Sequence, residues 1–322
     1  MSADPKGILC VADALCPATA ELLGAGRALA DSRGEPLALL LADGAEAEAA
    51  AALGADRLLL LEGPSLAGAP EDAWEAALKP VLEAESPRAV LLPGTVFGRS
   101  LAPRLAVALR AGLVSDALTL RFDPEGRLLA ERSICSGNAV AEILVGRWPA
   151  LATLRPMAFP RAVPGQKKAE ILRRSAPAAV SKARVLSFVP EAAAEIELGG
   201  ADKVVSGGRG LGGPEGFAPL RELAALLGAA VGASRTAVDA GWIPYRHQVG
   251  LTGRSIRPRL YVACGISGQI QHLAGMRSSE VIVGINQDPD CPMMKLATFS
   301  VQGDLVKLVP ALSAEIRRLR GA

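Results

Sequence analysis

Aromatic residues make up only 3% of the 322 residues, with three Trp, two Tyr and six Phe. A large planar ligand would therefore rest on aliphatic, backbone and hydrogen-bonding groups rather than on stacked rings. Histidine is scarcer still, with His247 and His272 the only two, which argues against a zinc site. The five cysteines, Cys10, Cys16, Cys135, Cys264 and Cys291, contain no C-x-x-C pair. That excludes a four-cysteine iron–sulfur site within the chain and argues against a disulfide scaffold. A charge excess of one sign is missing too: Lys+Arg 35 against Asp+Glu 33 leaves a formal +2, with no bulk attraction to nucleic acid or lipid. No apolar run approaches the roughly 18 residues a membrane span needs. The opening MSADPKGILCVADA has neither a basic region nor a long apolar core, so no targeting peptide is read and a cytoplasmic location is expected.

What is present is a chain that is 50% hydrophobic and 21% charged, long enough for two domains of roughly 150 residues. In the first half, short continuous apolar runs near 7–14, 36–42, 56–62 and 88–94 read as strands. Helical segments near 17–31, 45–54 and 71–85 separate them, the last with a disturbance at Pro80. Such alternation predicts a parallel sheet covered on both faces. From about 113, LVSDALTLRFD, RLLAERSI and AVAEILVG predict hairpins completing the sheet at one edge. Residues 156–192, rich in proline, read as an extended connector with a late strand, and KKAEILRR within it as a solvated basic face. The domain boundary is expected near 191, giving domains 1–191 and 192–322. The second domain restarts the alternation, with strands at ADKVVSGG, PRLYVACG and SEVIVGINQD, a helix at PLRELAALLGAA and a closing helix ending in Arg317, Arg318 and Arg320.

Two glycine-rich strand–helix junctions carry the chemistry of this domain. SGGRGLGGPEG holds Gly208-x-Gly210-x-x-Gly213, a spacing that lets backbone N–H groups approach a pyrophosphate, and Arg209 inside it can add a bidentate phosphate contact. GISGQIQHLAGM follows a second strand, with Gly265 and Gly268 opening the backbone and Ser267 able to cap the helix. His272 would project toward the same mouth, where a donor can stabilise negative charge on a bound heterocycle. His247 reads as a surface residue of a polar loop. Between the junctions, residues 232–254 are glycine-rich and irregular, with Ser234, Arg235, Asp239, Arg246, Thr252 and Arg254 as buried-looking or charged groups. The strand SEVIVGINQD ends in Asn286 and Asp288, at the strand end where open α/β sheets meet ligands. No nucleophile paired with an acid presents itself.

In order, VVSGGRG, GASRTAVDAG, QVGLTG, GISGQIQHLAGM, INQDPD and GDL closely resemble the C-terminal flavin domain of the electron transfer flavoprotein alpha-subunit family. GTVFGRSLAPRLA, LVSD and ICSGNAV resemble that family's N-terminal domain more loosely. The resemblance implies a parallel-sheet, nucleotide-binding-like first domain followed by a doubly wound, flavodoxin-like domain that binds FAD. It places Arg209 and Ser234 on the cofactor, together with Gln248, Val249, Gly250, Leu251 and Thr252, and Ser267, Gly268, Gln269, Ile270, Gln271 and His272. His272 would lie at the pyrimidine end of the flavin, Arg235 over the isoalloxazine ring, where a fixed cation favours reduced, anionic flavin, and Asn286, Asp304 and Leu305 on the adenosine side. The alternative for Arg235 is a pair with Asp239 one helical turn on. A beta subunit would complete a heterodimer, covering the first domain and the arginine-tipped last helix. The implied function is an electron carrier from acyl-CoA-type flavin dehydrogenases to a membrane quinone reductase; the alternative is the alpha subunit of an NADH-oxidising bifurcating complex. Two departures stand out: Leu251 replaces the family's usual glutamine, and Thr298 and Phe299 replace an acid and a tyrosine.

Overall fold

The computed structural model describes residues 5–42, 44–62, 66, 68–137, 139–164, 168–175, 181–183, 185–187 and 196–321. The chain divides into two compact units, residues 1–189 and 190–322; the boundary expected near 191 lies outside the described residues.

In the first unit the elements run β1 (Ile8–Val11), α1 (Pro17–Arg33), β2 (Leu37–Leu41), α2 (Ala47–Ala51), β3 (Arg57–Glu62), α3 (Glu71–Glu85), β4 (Ala89–Pro93), α4 (Val96–Ala108), β5 (Gly112–Phe122), β6 (Leu128–Ile134), β7 (Ala139–Val145), β8 (Ala150–Leu154) and β9 (Glu170–Ser175). They form one nine-stranded sheet in the order β7-β6-β5-β8-β4-β1-β2-β3-β9, parallel except at one edge, where β5 pairs with β6 and β6 with β7 antiparallel. Strand alternation splits the leucines between two cores: Ile8, Leu37 and Leu39 pack on one face, and Leu9, Ala38 and Leu40 on the other. Burial on both faces is why these strands read as unbroken apolar runs. The hairpin edge appears as the sequence predicts, and α3 runs on through Pro80.

Three features differ from the sequence reading. Helix α4, held at its start by the Thr95 hydroxyl accepting from the Gly98 amide, and the buried strand β8 are not signalled by the local pattern. The strand of the connector lies at 170–175, inside the stretch read as a basic face, while the described residues 185–187 are not strand. The basic side chains there are ion-paired: Arg173 to Glu62, Arg174 to Glu85 and Lys168 to Glu48. Pairing with β3 gives the backbone a ladder, and acids on β3, α3 and α2 take up the charge.

Glu35 ties the start of this sheet together, accepting from the Gly7 amide at 2.7 Å and from Arg88 at 2.8 Å. Burial pushes its carboxyl up, but the Gly7 amide and Arg88 outweigh this and hold it below the ordinary carboxylate range. Glu35→Gln keeps an acceptor for Gly7 and leaves a half-buried guanidinium without its counter-charge; a loss of about 1 kcal/mol in urea unfolding at pH 7 is expected. No loss there would show the pair to be energetically idle.

In the second unit, β10 (Lys203–Gly207), α5 (Phe217–Leu227), β11 (Ala230–Ala233), α6 (Arg235–Asp239), β12 (Leu260–Cys264), α7 (Ile270–Met276), β13 (Val281–Asn286), α8 (Pro292–Leu296), β14 (Phe299–Gln302) and α9 (Leu305–Arg320) build a five-stranded sheet ordered β11-β10-β12-β13-β14. Every pairing is parallel. This is the 2-1-3-4-5 order of flavodoxin-like folds, whose switch point falls between the first and third strands, here β10 and β12. One face packs Val205, Val262 and Cys264 under α5 and α9; the other packs Val204, Tyr261 and Ala263 under α7 and α8. The arginines closing α9 are engaged within the unit: Arg317 pairs with Glu222, Arg318 with Glu315, and Arg320 donates to the Leu226 carbonyl. No described helix is long and apolar enough to cross a membrane.

Candidate functional site

At the β10/β12 switch point the two strand-end turns lie backbone against backbone. The Gly208 amide donates to the Cys264 carbonyl at 2.9 Å, and the Gly210 amide to the Gly265 carbonyl at 3.0 Å. A Cβ on Gly208 would stand 2.4 Å from the Gly265 oxygen, and one on Gly210 would stand 2.7 Å from the Gly265 Cα. The sequence reading of Gly208-x-Gly210-x-x-Gly213 as a phosphate cradle is thus corrected: the first two amides are spent on the neighbouring turn. These glycines are required because two backbones meet. Gly213 has an extended backbone, and two single 3-10 turns precede α5.

A cavity of about 590 Å³ opens beside this junction, lined from the ends of β10, β11, β12 and β13. Among the described residues, the amides of Ser267, Gly268, Gln269, Ile270 and Gln271 donate to no protein acceptor. Arg209, exposed on the same rim, has no ion-pair partner among them. Four of these five residues and Arg209 line the cavity, and unclaimed N–H groups beside a guanidinium are the donor set that an anion requires. The unclaimed amides thus lie on the second glycine turn, while those of Gly208 and Gly210 on the first are engaged. Ser267 does not cap α7; Gln269 occupies that position, and the Ser267 carbonyl accepts from Met293.

The segment after β11 supplies another wall. Gln248 and Val249 are buried, with Gln248 donating to the Thr252 hydroxyl at 3.0 Å and the Val249 amide donating to the Ala233 carbonyl at the strand end, 2.9 Å away. Gly250 and Leu251 follow, the Leu251 amide bonded to the Gln271 carbonyl at 2.8 Å, which locks this loop to α7. The Leu251 side chain is exposed. Ser234 and Arg235 open α6 at the rim. Arg235 holds Asp239 at 3.1 Å, the alternative weighed from sequence, while both residues also line the cavity. Asn286, at the end of β13, donates to the Ile266 carbonyl at 3.1 Å.

Three named residues lie elsewhere. Asp304 caps α9 by accepting from the Val306 amide, Leu305 is buried in the core under that helix, and the Ile270 side chain is exposed outside the lining. His247, read as a surface residue, is buried and donates from Nδ1 to the Val231 carbonyl at 2.8 Å. Thr298 accepts from the Ile282 amide, and Phe299 sits exposed on the edge strand β14. Thr236 and Cys291 line the cavity unforeseen; each follows a strand end by a few residues, a position signal that no residue type sharpened.

Two buried atoms of the wall, Ser234 Oγ and His272 Nδ1, lack a hydrogen-bond partner among the described residues. A native site keeps such groups when a ligand satisfies them. His272 is 7% exposed, its Nε2 2.8 Å from the Tyr261 hydroxyl. Burial drives its pKa down to about 4, with the Val249 carbonyl opposing weakly. The imidazole is therefore neutral at pH 7. Between the unfolded value of about 6.5 and 4, the unfolded state binds the extra proton, so stability falls as the pH is lowered through this window and is flat above it. Urea unfolding should show the wild-type protein losing about 1–2 kcal/mol more stability than His272→Gln on going from pH 7 to pH 5. Parallel losses in the two proteins would contradict a neutral buried ring.

Comparison with known proteins bears on the same residues. A family model described as "Electron transfer flavoprotein domain" matches residues 11–179, and one described as "Electron transfer flavoprotein FAD-binding domain" matches residues 197–277. The chain is 41% identical over 307 residues to the "Electron transfer flavoprotein subunit alpha" of Thermoanaerobacterium thermosaccharolyticum, covering 93% of each chain. It is 37% identical over 304 residues to the protein of that name from Bacillus subtilis, covering 94% of this chain and 93% of the relative. Against "Protein FixB" of Bradyrhizobium diazoefficiens it is 37% identical over 318 residues, covering 94% and 85%.

Proposed function

This chain belongs to the electron transfer flavoprotein alpha-subunit family, and from that premise we propose that it is the flavin-holding subunit of a heterodimeric carrier passing electrons from flavin dehydrogenases, of the acyl-CoA type, to a quinone reductase. Its FAD-binding domain is the second unit. FAD, when bound, supplies the one- and two-electron chemistry; the residues bind it, orient it and set its electrostatics.

The observation that supports this reading is the run of amides from Ser267 to Gln271 beside Arg209, all without a partner among the described residues, a donor set suited to a doubly charged pyrophosphate. Ser234 Oγ and His272 Nδ1 offer buried polar partners to other parts of the cofactor. Arg235 at the rim keeps a cation near the cavity, tempered by Asp239. Leu251 brings an apolar side chain to the lining where the family usually has an amide, which takes one polar side-chain group away from that wall.

The test is co-expression of the full chain with its beta subunit, followed by flavin counting and reduction assays. One FAD per heterodimer, reduced by a flavin dehydrogenase and substrate but not by NADH, is the expected result. Two FADs with direct NADH reduction would replace the carrier reading with bifurcation, and a colourless complex would remove both.

A further inference from the structure

Tyr261 is fully buried on β12, and its hydroxyl must place its proton somewhere, because an unmade hydrogen bond at such a site costs about 1–3 kcal/mol. Ser206 Oγ lies beside the Tyr261 oxygen, close enough to bias its titration downward but outside hydrogen-bonding geometry. The acceptor within reach is His272 Nε2, 2.8 Å away on the first turns of α7. The two rings meet tilted, with centroids 6.2 Å apart, so the contact runs through the polar atoms rather than through stacking.

We propose that Tyr261 is a positioning residue for His272, donating its hydroxyl proton to Nε2 and thereby leaving the ring's own N–H on Nδ1. A neutral imidazole has one donor and one acceptor, and the acceptor is taken. Nδ1 is then a buried donor that no acceptor among the described residues meets in hydrogen-bonding geometry, the Val249 carbonyl lying beside the ring but outside that geometry, and a ligand oxygen in the cavity is its partner. Tyr261 belongs to the sheet while His272 belongs to a seven-residue helix anchored by its loop. The hydroxyl thus ties the orientation of a cavity-wall ring to the rigid layer beneath it, as the partner of a metal-ligating histidine does in other sites. The last step, a ligand oxygen on Nδ1, rests on the FAD reading above; the tautomer does not.

The chain has only two histidines, so nitrogen-15 histidine labelling of the full chain, assembled with unlabelled beta subunit, gives two readable rings and His247 as internal reference. In the wild-type holoprotein His272 should show a protonated Nδ1 and an unprotonated Nε2. In Tyr261→Phe the two nitrogens should average or exchange roles while His247 stays unchanged. The flavin equilibrium should shift three- to tenfold toward the oxidised form, about 15–30 mV for a two-electron couple, because a donor fixed on the flavin favours its electron-rich reduced form. A wild-type proton on Nε2, or unaltered His272 signals in Tyr261→Phe, overturns the proposal. A changed tautomer with an unmoved potential overturns its flavin half. If Tyr261→Phe fails to fold, the wild-type tautomer alone decides. Should the wild-type complex carry no flavin, the carrier reading fails, and the tautomer in the flavin-free protein still judges Tyr261.

Discussion

Gly268→Ala should abolish FAD retention and lower the stability of the second unit by about 2–5 kcal/mol. Two penalties combine at this position. Its backbone lies in the left-handed region with φ +82°, where a Cβ costs about 1–2 kcal/mol. That Cβ would also stand 2.4 Å from the Met293 amide nitrogen and 2.8 Å from its Cα, both backbone atoms of α8. Overpacking of this kind adds about 1–3 kcal/mol, and the Met293-to-Ser267 hydrogen bond at 3.1 Å is the contact that gives way. Once the turn moves, the free amides of 267–271 no longer converge. Gly228→Ala is the matched control: φ is +62° but nothing stands within 4 Å of the added methyl, so only the strain term, about 1 kcal/mol, should appear and FAD should stay. Thermal unfolding and flavin content of the two variants in the heterodimer check this. A flavinated Gly268→Ala of ordinary stability would refute the tight approach.

Arg209→Ala should do the opposite, leaving the fold alone and weakening FAD. The guanidinium is exposed and bonded to nothing among the described residues, so its removal strands no partner and empties no core. Its worth lies in a charged hydrogen bond to phosphate, about 1.5–3 kcal/mol, or roughly 10- to 150-fold in affinity. Arg209→Lys should recover part of it, because an ammonium keeps the charge and loses the fork. Titrating FAD into the stripped heterodimer reads both variants. Wild-type affinity in Arg209→Ala would remove this side chain from the phosphate site.

Sequence carried the architecture furthest where one signal sufficed. Continuous leucine runs marked β2 and β3 because burial on both faces erases alternation, and glycines after β10 and β12 marked two strand–helix junctions, which the strand order then brings together at the switch point. The roles of those glycines were not legible, since a glycine needed for a phosphate and one needed for a neighbouring backbone look alike until the two turns are seen together. Leu305 was readable after all: Leu305, Leu308, Val309, Leu312 and Ile316 keep the helical spacing of a core face, and that signal outranks a position beside a capping aspartate. His247 shows the reverse, a polar residue in a polar stretch whose burial depends on a carbonyl of β11 that no local pattern reveals. The strand hidden in KKAEILRR was masked by its charge, which an edge position tolerates and an interior one would not.

That edge strand has a bearing on how the chain is made. β3 pairs on its outer side only with β9, Arg57 opposite Glu170 through Glu62 opposite Ser175, so more than a hundred residues separate the partners. While a ribosome is still translating that interval, the leucines of β3 sit on an open sheet border, with unclaimed N–H and C=O groups facing any second nascent chain. Closing so long a loop is slow compared with local pairing, which makes the interval the period of greatest exposure to aggregation. The arginines of β9 then do more than pair with Glu62 and Glu85: once docked, they turn the same border into a charged margin that a further strand cannot easily extend.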